Sequence, residues 1–483
     1  MAAIAEIKLT NTLTGKKETF APNGGSDAPV RIYLCGPTVY GYAHVGNART
    51  ALMGDLVNKT LQLAGYKVDF ARNITDIDDK IIKLANDQSK GWDEVAKLFE
   101  EAYLKDMKDL SVTAPTRSPH ATEHVKDIYS MIQGLVDAGY AYPSDTPFGT
   151  DVYFRVKKFE GYGRLSRKNT DDLVAGARIE VGESKEDPLD FALWKSAKPG
   201  EPSWTSPWGE GRPGWHIECS AMIHALFHDT IDIHMGGLDL IFPHHENEIA
   251  QSEAFSGKSL AKYWLHGGLL TFGREKMSKS LGNIVLTKDF IESFGAETYR
   301  VMCLQNHYRG PMDFSDEVIL RSESLLERLY LAKFRAAESA SASDVDHPEL
   351  SSIGEQMRAS LFDDFNAAKA LGVALKGLRL CYKEEKPELW KLWGAQTLNL
   401  LTGVFEILKN DPQSTRTNMR ARRLKRVGIS ESKALEVEKR LEEREQVRKN
   451  KDFAASDRLR AEIESEGFVV MDGLDGACWT VRG

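Results

Sequence analysis

The sequence predicts an α/β fold, a mostly parallel sheet interrupted by an insertion, followed by helices and a small β tail. Three observations carry this. Apolar or β-branched runs at Val30–Leu34, Tyr66–Thr75 and Ile231–Gly237 each lead into a loop and then a helical pattern. From Tyr140 to about Gly214 the texture changes to short strands and many turns, such as Gly161-Tyr-Gly and Ser206-Pro-Trp-Gly. From about Asp316 the pattern is amphipathic helix almost throughout.

In chain order, Val30-Arg-Ile-Tyr-Leu is a short strand running into Cys35-Gly36-Pro37-Thr38, a turn with a thiol at its mouth. His44-Val-Gly-Asn-Ala-Arg follows, and a helix is predicted from Ala48 to about Ala64. A strand, a glycine-bearing loop and a helix start present backbone N–H groups and a helix dipole to phosphate. At this strand-to-helix turn neither GxGxxG nor GxxxxGK[ST] occurs, so the dinucleotide fingerprint and the P-loop do not apply to it. The next strand ends at Thr75 and the acidic run Asp76-Ile-Asp-Asp, and helices fill Lys80 to Gly139. The sheet is expected to resume at Trp215, with a further strand over Tyr263–Phe272.

Pro243 and the acidic residues after it predict a helix start, which places His244 and Glu248 four residues apart on one face. With Cys219 they offer a thiolate, an imidazole and a carboxylate for one cation, and zinc suits such a mixed set. A buried free Cys beside a solvated helix end accounts for the same residues equally well. Two lysines and two serines in Lys276-Met-Ser-Lys279-Ser280 make a cationic loop suited to polyphosphate, or an ordinary basic turn. Arg416 to Arg426 carries six basic residues and no acidic one, a phosphate-facing patch or a solvated linker. One long charged helix is predicted from about Ser432 to Glu466, then β-like Phe468–Asp472 and Cys478–Val481.

The totals exclude several classes. Hydrophobic content of 42% and charged content of 28% fit a globular protein. No stretch approaches the ~18 apolar residues of a membrane span, and no signal-peptide core opens the chain, so no membrane partner is expected. Five cysteines without a CxxC pair point to a reducing cytoplasm rather than a disulfide framework. A net charge of −8 does not advertise nucleic-acid binding, although a local basic patch suffices for phosphates.

His44-Val-Gly-Asn47 and Lys276-Met-Ser-Lys-Ser280, in that order, resemble the two signatures of class I aminoacyl-tRNA synthetases. Cys35-Gly-Pro-Thr-Val-Tyr, Arg72-Asn-Ile-Thr-Asp-Ile-Asp-Asp-Lys, Gly214-Trp-His-Ile-Glu-Cys219 and Phe242-Pro-His-His-Glu-Asn-Glu together resemble the cysteinyl-tRNA synthetases. The resemblance runs from about Ile7 to Trp479. It implies a Rossmann-like catalytic domain in two halves, 1–139 and 215–315, around an inserted subdomain at 140–214. A helical bundle at 316–425 and a small α+β anticodon-binding domain at 426–483 complete the implied order.

The resemblance further implies one zinc held by Cys35, Cys219, His244 and Glu248 that takes the thiolate of substrate L-cysteine. Thr75, Trp215 and His234 would wall the amino-acid pocket beside Cys35. Gly36, Thr38, Gly46, Gly237 and Asp239 would shape the ATP pocket, with Mg²⁺ accompanying the nucleotide. His44, Asn47, Lys276 and Lys279 would bind the phosphates during adenylation. Arg448, Phe453, Asp457 and Asp472 would read anticodon bases of tRNA(Cys), and a monomer is expected. An insertion of about 75 residues is too small for a separate editing domain, which suits a site that rejects serine by demanding one metal bond. One departure is Asn47, where the family's first signature usually carries His. Cysteine:glucosaminyl inositol ligases share the resembled core but lack the C-terminal part, and a non-catalytic tRNA-binding relative would not need the lysines.

Overall fold

Burial on both faces explains why the central strands read as apolar runs rather than as alternation. The structure, a computed structural model, describes residues 4–25, 27–168, 185–272, 275–276, 284–473 and 476–481. Its central sheet holds β1 (Val30–Leu34), β2 (Val68–Arg72), β3 (Ile231–Gly237) and β4 (Ala261–Gly267). All four are parallel, in the order β4-β3-β1-β2. Helix α1 (Val45–Leu63) crosses from β1 to β2, while β3 flanks β1 on its other side. The winding direction therefore reverses between β1 and β3. Open α/β sheets bind ligands outside the carboxyl ends of their strands at such a reversal.

Alternation along these strands sorts the side chains into two layers. Ile32, Leu34, Ile233, Met235 and Leu265 pack with Val57 and Leu61 of α1. Tyr33, Cys35 and Trp264 pack on the opposite face with Cys219, Met222 and Ile249. The register pairs His234 with Tyr33 and Trp264, so His234 belongs to that second face. A backbone bond from Cys35 N–H to Met235 C=O (3.0 Å) carries the ladder to the strand ends.

Between the two halves lies a five-stranded antiparallel sheet of Ala141–Thr146, Gly149–Phe154, Phe191–Ser196, Gly209–Pro213 and Trp204–Ser206, in that spatial order. The parallel sheet does not resume at Trp215. Trp215–Phe227 is helix α2, and the sheet restarts at Ile231. Seven consecutive residues of α2, Ile217 to Ile223, are buried, and a helix covered nearly all round loses the 3.6 period that distinguishes it from a buried strand. The strand expected over Tyr263–Phe272 is likewise two. β4 ends at Gly267, and Leu270–Phe272 joins a small sheet with Glu275–Lys276 and Met312–Asp313. At the turn, a Cβ on Gly268 would sit 2.0 Å from Gly310 O, so only glycine fits.

The chain divides into two compact units, Met1–Thr287 with Asn306–Phe314 and Ala359–Ala367, and Lys288–Gln305 with Ser315–Arg358 and Ala368–Gly483. The second unit contains helix α4 (Asp316–Glu338), α5 (Pro412–Val427), α6 (Glu431–Lys449), α7 (Phe453–Ser465) and the hairpin Phe468–Gly473/Gly476–Val481. The single helix expected over 432–466 is thus α6 and α7. Lys451 takes a left-handed φ of 62°, and Asp452 accepts from Ala455 N–H at 3.0 Å to cap the new helix. Among the described residues no helix is long and apolar enough to cross a membrane.

Candidate active site

Two helices bring the candidate metal-ligating side chains to the ends of β1 and β3. α2 starts after Gly214 and presents Cys219 in its second turn. Helix α3 spans Glu246–Ser256, three residues later than Pro243 predicts, and His244 lies in the preceding turn Ile241–His245. The expected pair nevertheless forms, with His244 Nε2 3.1 Å from Glu248 Oε1. Cys35 Sγ lies 3.8 Å from Cys219 Sγ and 3.5 Å from Glu248 Oε1. All four side chains are buried.

This spacing tests whether an ion fits. Donors about 2.0–2.3 Å from a tetrahedral zinc lie about 3.3–3.8 Å from one another. The measured separations of 3.8, 3.5 and 3.1 Å match that within a few tenths of an ångström. A second group, Cys35, His234, His245 and Glu248, also clusters. There His234 Nε2 already shares a 2.8 Å hydrogen bond with Glu248 Oε2, a contact too short for two ligands of one tetrahedral ion. The first group, with two soft sulfurs, is therefore the better zinc site. His234 instead holds the other oxygen of the Glu248 carboxylate, the place an outer partner of a metal ligand takes.

The electrostatics agree with the geometry. The hydrogen bond from Cys35 lowers the Cys219 thiol to about 6, assisted by His244. Burial pushes the Cys35 thiol well up, and Cys219 adds to that. Burial alone would raise Glu248, but His234 and His244 outweigh it and hold the carboxyl low. The site thus keeps a thiolate and a carboxylate ready for a cation.

Several residues around the site escaped the sequence reading. His245 Nδ1 is 2.8 Å from His266 Nε2, whose Nδ1 is 2.9 Å from Thr12 Oγ1, and His245 Nε2 is buried without a hydrogen-bond partner among the described residues. Burial pushes His245 well down and His266 down to about 3, so both rings are neutral. His216 Nδ1 lies 3.0 Å from His244 Nδ1. Trp215 stacks on His244 at 4.5 Å between ring centroids, and Trp264 stacks on His234 at 4.5 Å. Thr75 accepts from Asn73 Nδ2 (3.2 Å), and Asn73 Oδ1 accepts from Gly36 N–H (2.8 Å). A Cβ on Gly36 would sit 1.7 Å from Asn73 O, so the turn requires glycine. Glu218, fully buried beside Cys219, is pushed well up by burial, although the Thr75 hydroxyl donates to it. Strand alternation signals His266, which sits two residues beyond Trp264 on the face of His234; nothing in the sequence alone singles out Asn73 or Glu218.

A cleft of about 430 Å³ opens from Cys35 and Trp215 along the strand ends. Gly36, Thr38, His44, Gly46, Asn47, Gly237 and Asp239 all line it. His44 caps α1, so the cleft faces the positive end of that helix. Arg49, also missed, donates to the carbonyls of Gly268 (2.7 Å), Leu269 (2.8 Å) and Gly310 (2.5 Å) and fixes the cleft's far wall. Lys276 ends the strand Glu275–Lys276, whereas its side chain, Lys279 and Ser280 lie outside the described residues. The chain re-enters at Ile284, and Val45 N–H then bonds Val285 C=O at 3.0 Å.

In the second unit, Arg448 and Asp457 are exposed on either side of the α6–α7 break. Phe453 is 61% exposed at the start of α7. Asp472 lies in the final hairpin, its side chain outside the described residues. The basic run Arg416–Arg426 lies on α5 and is neither linker nor open patch. Arg423 and Arg426 bracket buried Glu323 at 3.5 and 3.0 Å, and Arg420 pairs with Glu438 at 3.0 Å.

The model of the tRNA synthetases class I (C) catalytic domain matches residues 23–324. The cysteine–tRNA ligase of Thermodesulfovibrio yellowstonii is 42% identical over 99% of this chain and 100% of its own. The chain belongs to the class I cysteine–tRNA ligase family. The ligase of Geobacillus thermodenitrificans is 44% identical over 99% of both chains. A Mycobacterium tuberculosis methionyl-tRNA synthetase in complex with methionyl-adenylate superposes with a TM-score of 0.59 at 16% identity. It covers 78% of this chain and 92% of that one, a likeness of fold.

Proposed function

We propose that the chain activates L-cysteine with ATP and transfers the cysteinyl group to the 3′ end of tRNA(Cys). The observation that carries this is the thiol-rich donor set, whose Cys35 lines the same cleft as the His44 loop. Cys35, Cys219, His244 and Glu248 are the zinc ligands in this reading. When bound there, zinc supplies a borderline-soft Lewis acid that favours the substrate's sulfur over serine's harder oxygen. Thr75, Trp215 and His234 wall the amino-acid pocket.

The substrate carboxylate attacks the α-phosphate of ATP in line, and pyrophosphate leaves. The protein contributes position and charge. Gly36, Thr38, Gly46 and Gly237 let the nucleotide approach the backbone, and the Asp239 carboxylate accepts from the ribose. Mg²⁺ enters with ATP. His44, Asn47, Lys276 and Lys279 donate to the phosphates as charge moves toward the leaving group. A ribose hydroxyl of the tRNA then attacks the carbonyl carbon of the cysteinyl-adenylate; the new ester bond forms as the anhydride bond breaks and AMP leaves. Exposed Phe453 stacks on an unpaired anticodon base, with Arg448, Asp457 and Asp472 reading base edges. The implied domain order, with 140–214 holding the acceptor end and 316–425 the stem, belongs to the same proposal.

ATP–pyrophosphate exchange with a panel of amino acids tests the reading. Exchange that depends on cysteine and not serine is expected, and cysteinylation follows on adding tRNA. Cysteine-dependent exchange with an amino sugar as the acceptor would replace tRNA by the small-molecule ligase activity. No exchange at all would leave only a binding protein.

A further inference from the structure

Glu218 is 1% exposed, and its Oε2 has no hydrogen-bond partner among the described residues. Its carboxyl accepts from the Thr75 hydroxyl. The acidic residues around it are otherwise engaged. Asp76 accepts from Thr122 N–H at 3.1 Å, Asp78 accepts from Lys80 N–H at 2.8 Å, and Asp79 pairs with Lys195 at 3.0 Å and with Arg212. Of these carboxylates only Glu218 has a buried oxygen without a partner among the described residues, in a setting where an unmatched carboxylate costs heavily. Such a position is completed by a cation that arrives with a ligand.

The reading of the site as a cysteine pocket supplies that cation, and this inference rests on that reading. In cysteine the ammonium nitrogen and the sulfur are two carbon atoms apart. Whatever holds the ammonium must therefore neighbour whatever holds the sulfur. Glu218 precedes Cys219 on α2. The chain of bonds from Gly36 N–H through Asn73 to Thr75 ties Thr75 to the turn that follows Cys35. Thr75 Oγ1 accepts from Asn73 and spends its proton on Glu218, which leaves a lone pair for a further donor. We propose that Glu218 is the buried counter-charge for the α-ammonium group of the substrate amino acid, with the Thr75 hydroxyl as a second acceptor.

Three thiols separate this role from a structural one. L-cysteine carries ammonium and carboxylate, cysteamine carries the ammonium alone, and 3-mercaptopropionate carries the carboxylate alone. Binding of each to the zinc-loaded, full-length protein is measured by calorimetry, with zinc content determined for every variant. Glu218→Gln is expected to weaken cysteine and cysteamine by about 10–100-fold, the loss of a charged hydrogen bond. 3-Mercaptopropionate binding and zinc content should stay unchanged. Should Glu218→Gln fail to fold, Thr75→Val is expected to give the same pattern in smaller degree. A loss shared equally by all three thiols, or no loss with any, overturns the role of Glu218. If the unsubstituted protein binds none of the three, the cysteine reading itself has failed.

Discussion

His44 and Asn47 hold each other across the first turn of α1. His44 Nδ1 accepts from Asn47 N–H at 3.2 Å, and Asn47 Oδ1 accepts from His44 N–H at 3.1 Å. This reciprocal cap fixes the imidazole tautomer, because a ring nitrogen that accepts leaves the proton on Nε2. In the proposed function it is this Nε2–H that donates to phosphate. The Asn47 amide nitrogen can donate as well, and in the proposed function His44 bears the greater load. His44→Ala should lower kcat for adenylation by about 10²–10³-fold. Asn47→Ala should cost about tenfold less in kcat and roughly 1 kcal/mol in stability through the lost cap. Exchange kinetics and chemical denaturation check both; a larger kcat loss for Asn47→Ala would reverse the assignment.

Metal content distinguishes the two overlapping donor groups. Cys219→Ser should abolish zinc binding and cysteine-dependent exchange together. His245→Gln should leave the stoichiometry at one zinc per chain, because His245 belongs only to the group excluded by the short His234–Glu248 contact. Zinc affinity should also fall as pH drops through about 6. The Cys219 thiol is deprotonated above that value, and below it protons compete with the metal. Zinc retained by Cys219→Ser would remove Cys219 from the ligand set.

How much of this could be read from the chain differs by residue. The strand Val30–Leu34, the loop after it and the pair His244–Glu248 follow from local pattern, since each depends on neighbours a few residues away. Helix α2 did not, because burial on nearly every side erases the period that betrays a helix. The break between α6 and α7 turns on one residue, Lys451, in a left-handed conformation between Asn450 and Asp452. Arg49 and Glu218 were hidden for another reason. Their partners, Gly268 and Gly310 in one case and Thr75 in the other, are distant in sequence, and a single arginine or glutamate on a helix carries no local mark of burial.

The basic run on α5 illustrates the same point and leads to a stability prediction. Glu323 is buried between Arg423 and Arg426, and Arg426 Nη1 also donates to Ser293 C=O at 2.8 Å. Removing one partner of a buried pair leaves uncompensated charge. Glu323→Ala should therefore destabilise by about 3–5 kcal/mol in chemical denaturation. Lys425, whose pair with Glu292 is exposed, should tolerate alanine with no measurable change in the midpoint. Equal effects of the two substitutions would mean that the run faces solvent after all.

Lys279 is best argued from the chain on either side of it. Lys276 pairs in register with Thr271, and eight residues later Ile284 leads into Val285 and Leu286, which meet Val45 and His44. Both ends of the segment are thus fastened, one to the strand that follows β4 and the other to the loop that caps α1. Lys279 itself lies outside the described residues, and the proposed function directs its ammonium group at the phosphates of ATP. Lys279→Ala should depress kcat for pyrophosphate exchange by about 10²-fold while raising KM for cysteine far less, the pattern of an interaction made chiefly in the transition state. A variant with normal kcat and a raised KM for cysteine would instead put Lys279 in the amino-acid pocket, and the phosphates would then depend on His44 and Lys276 alone.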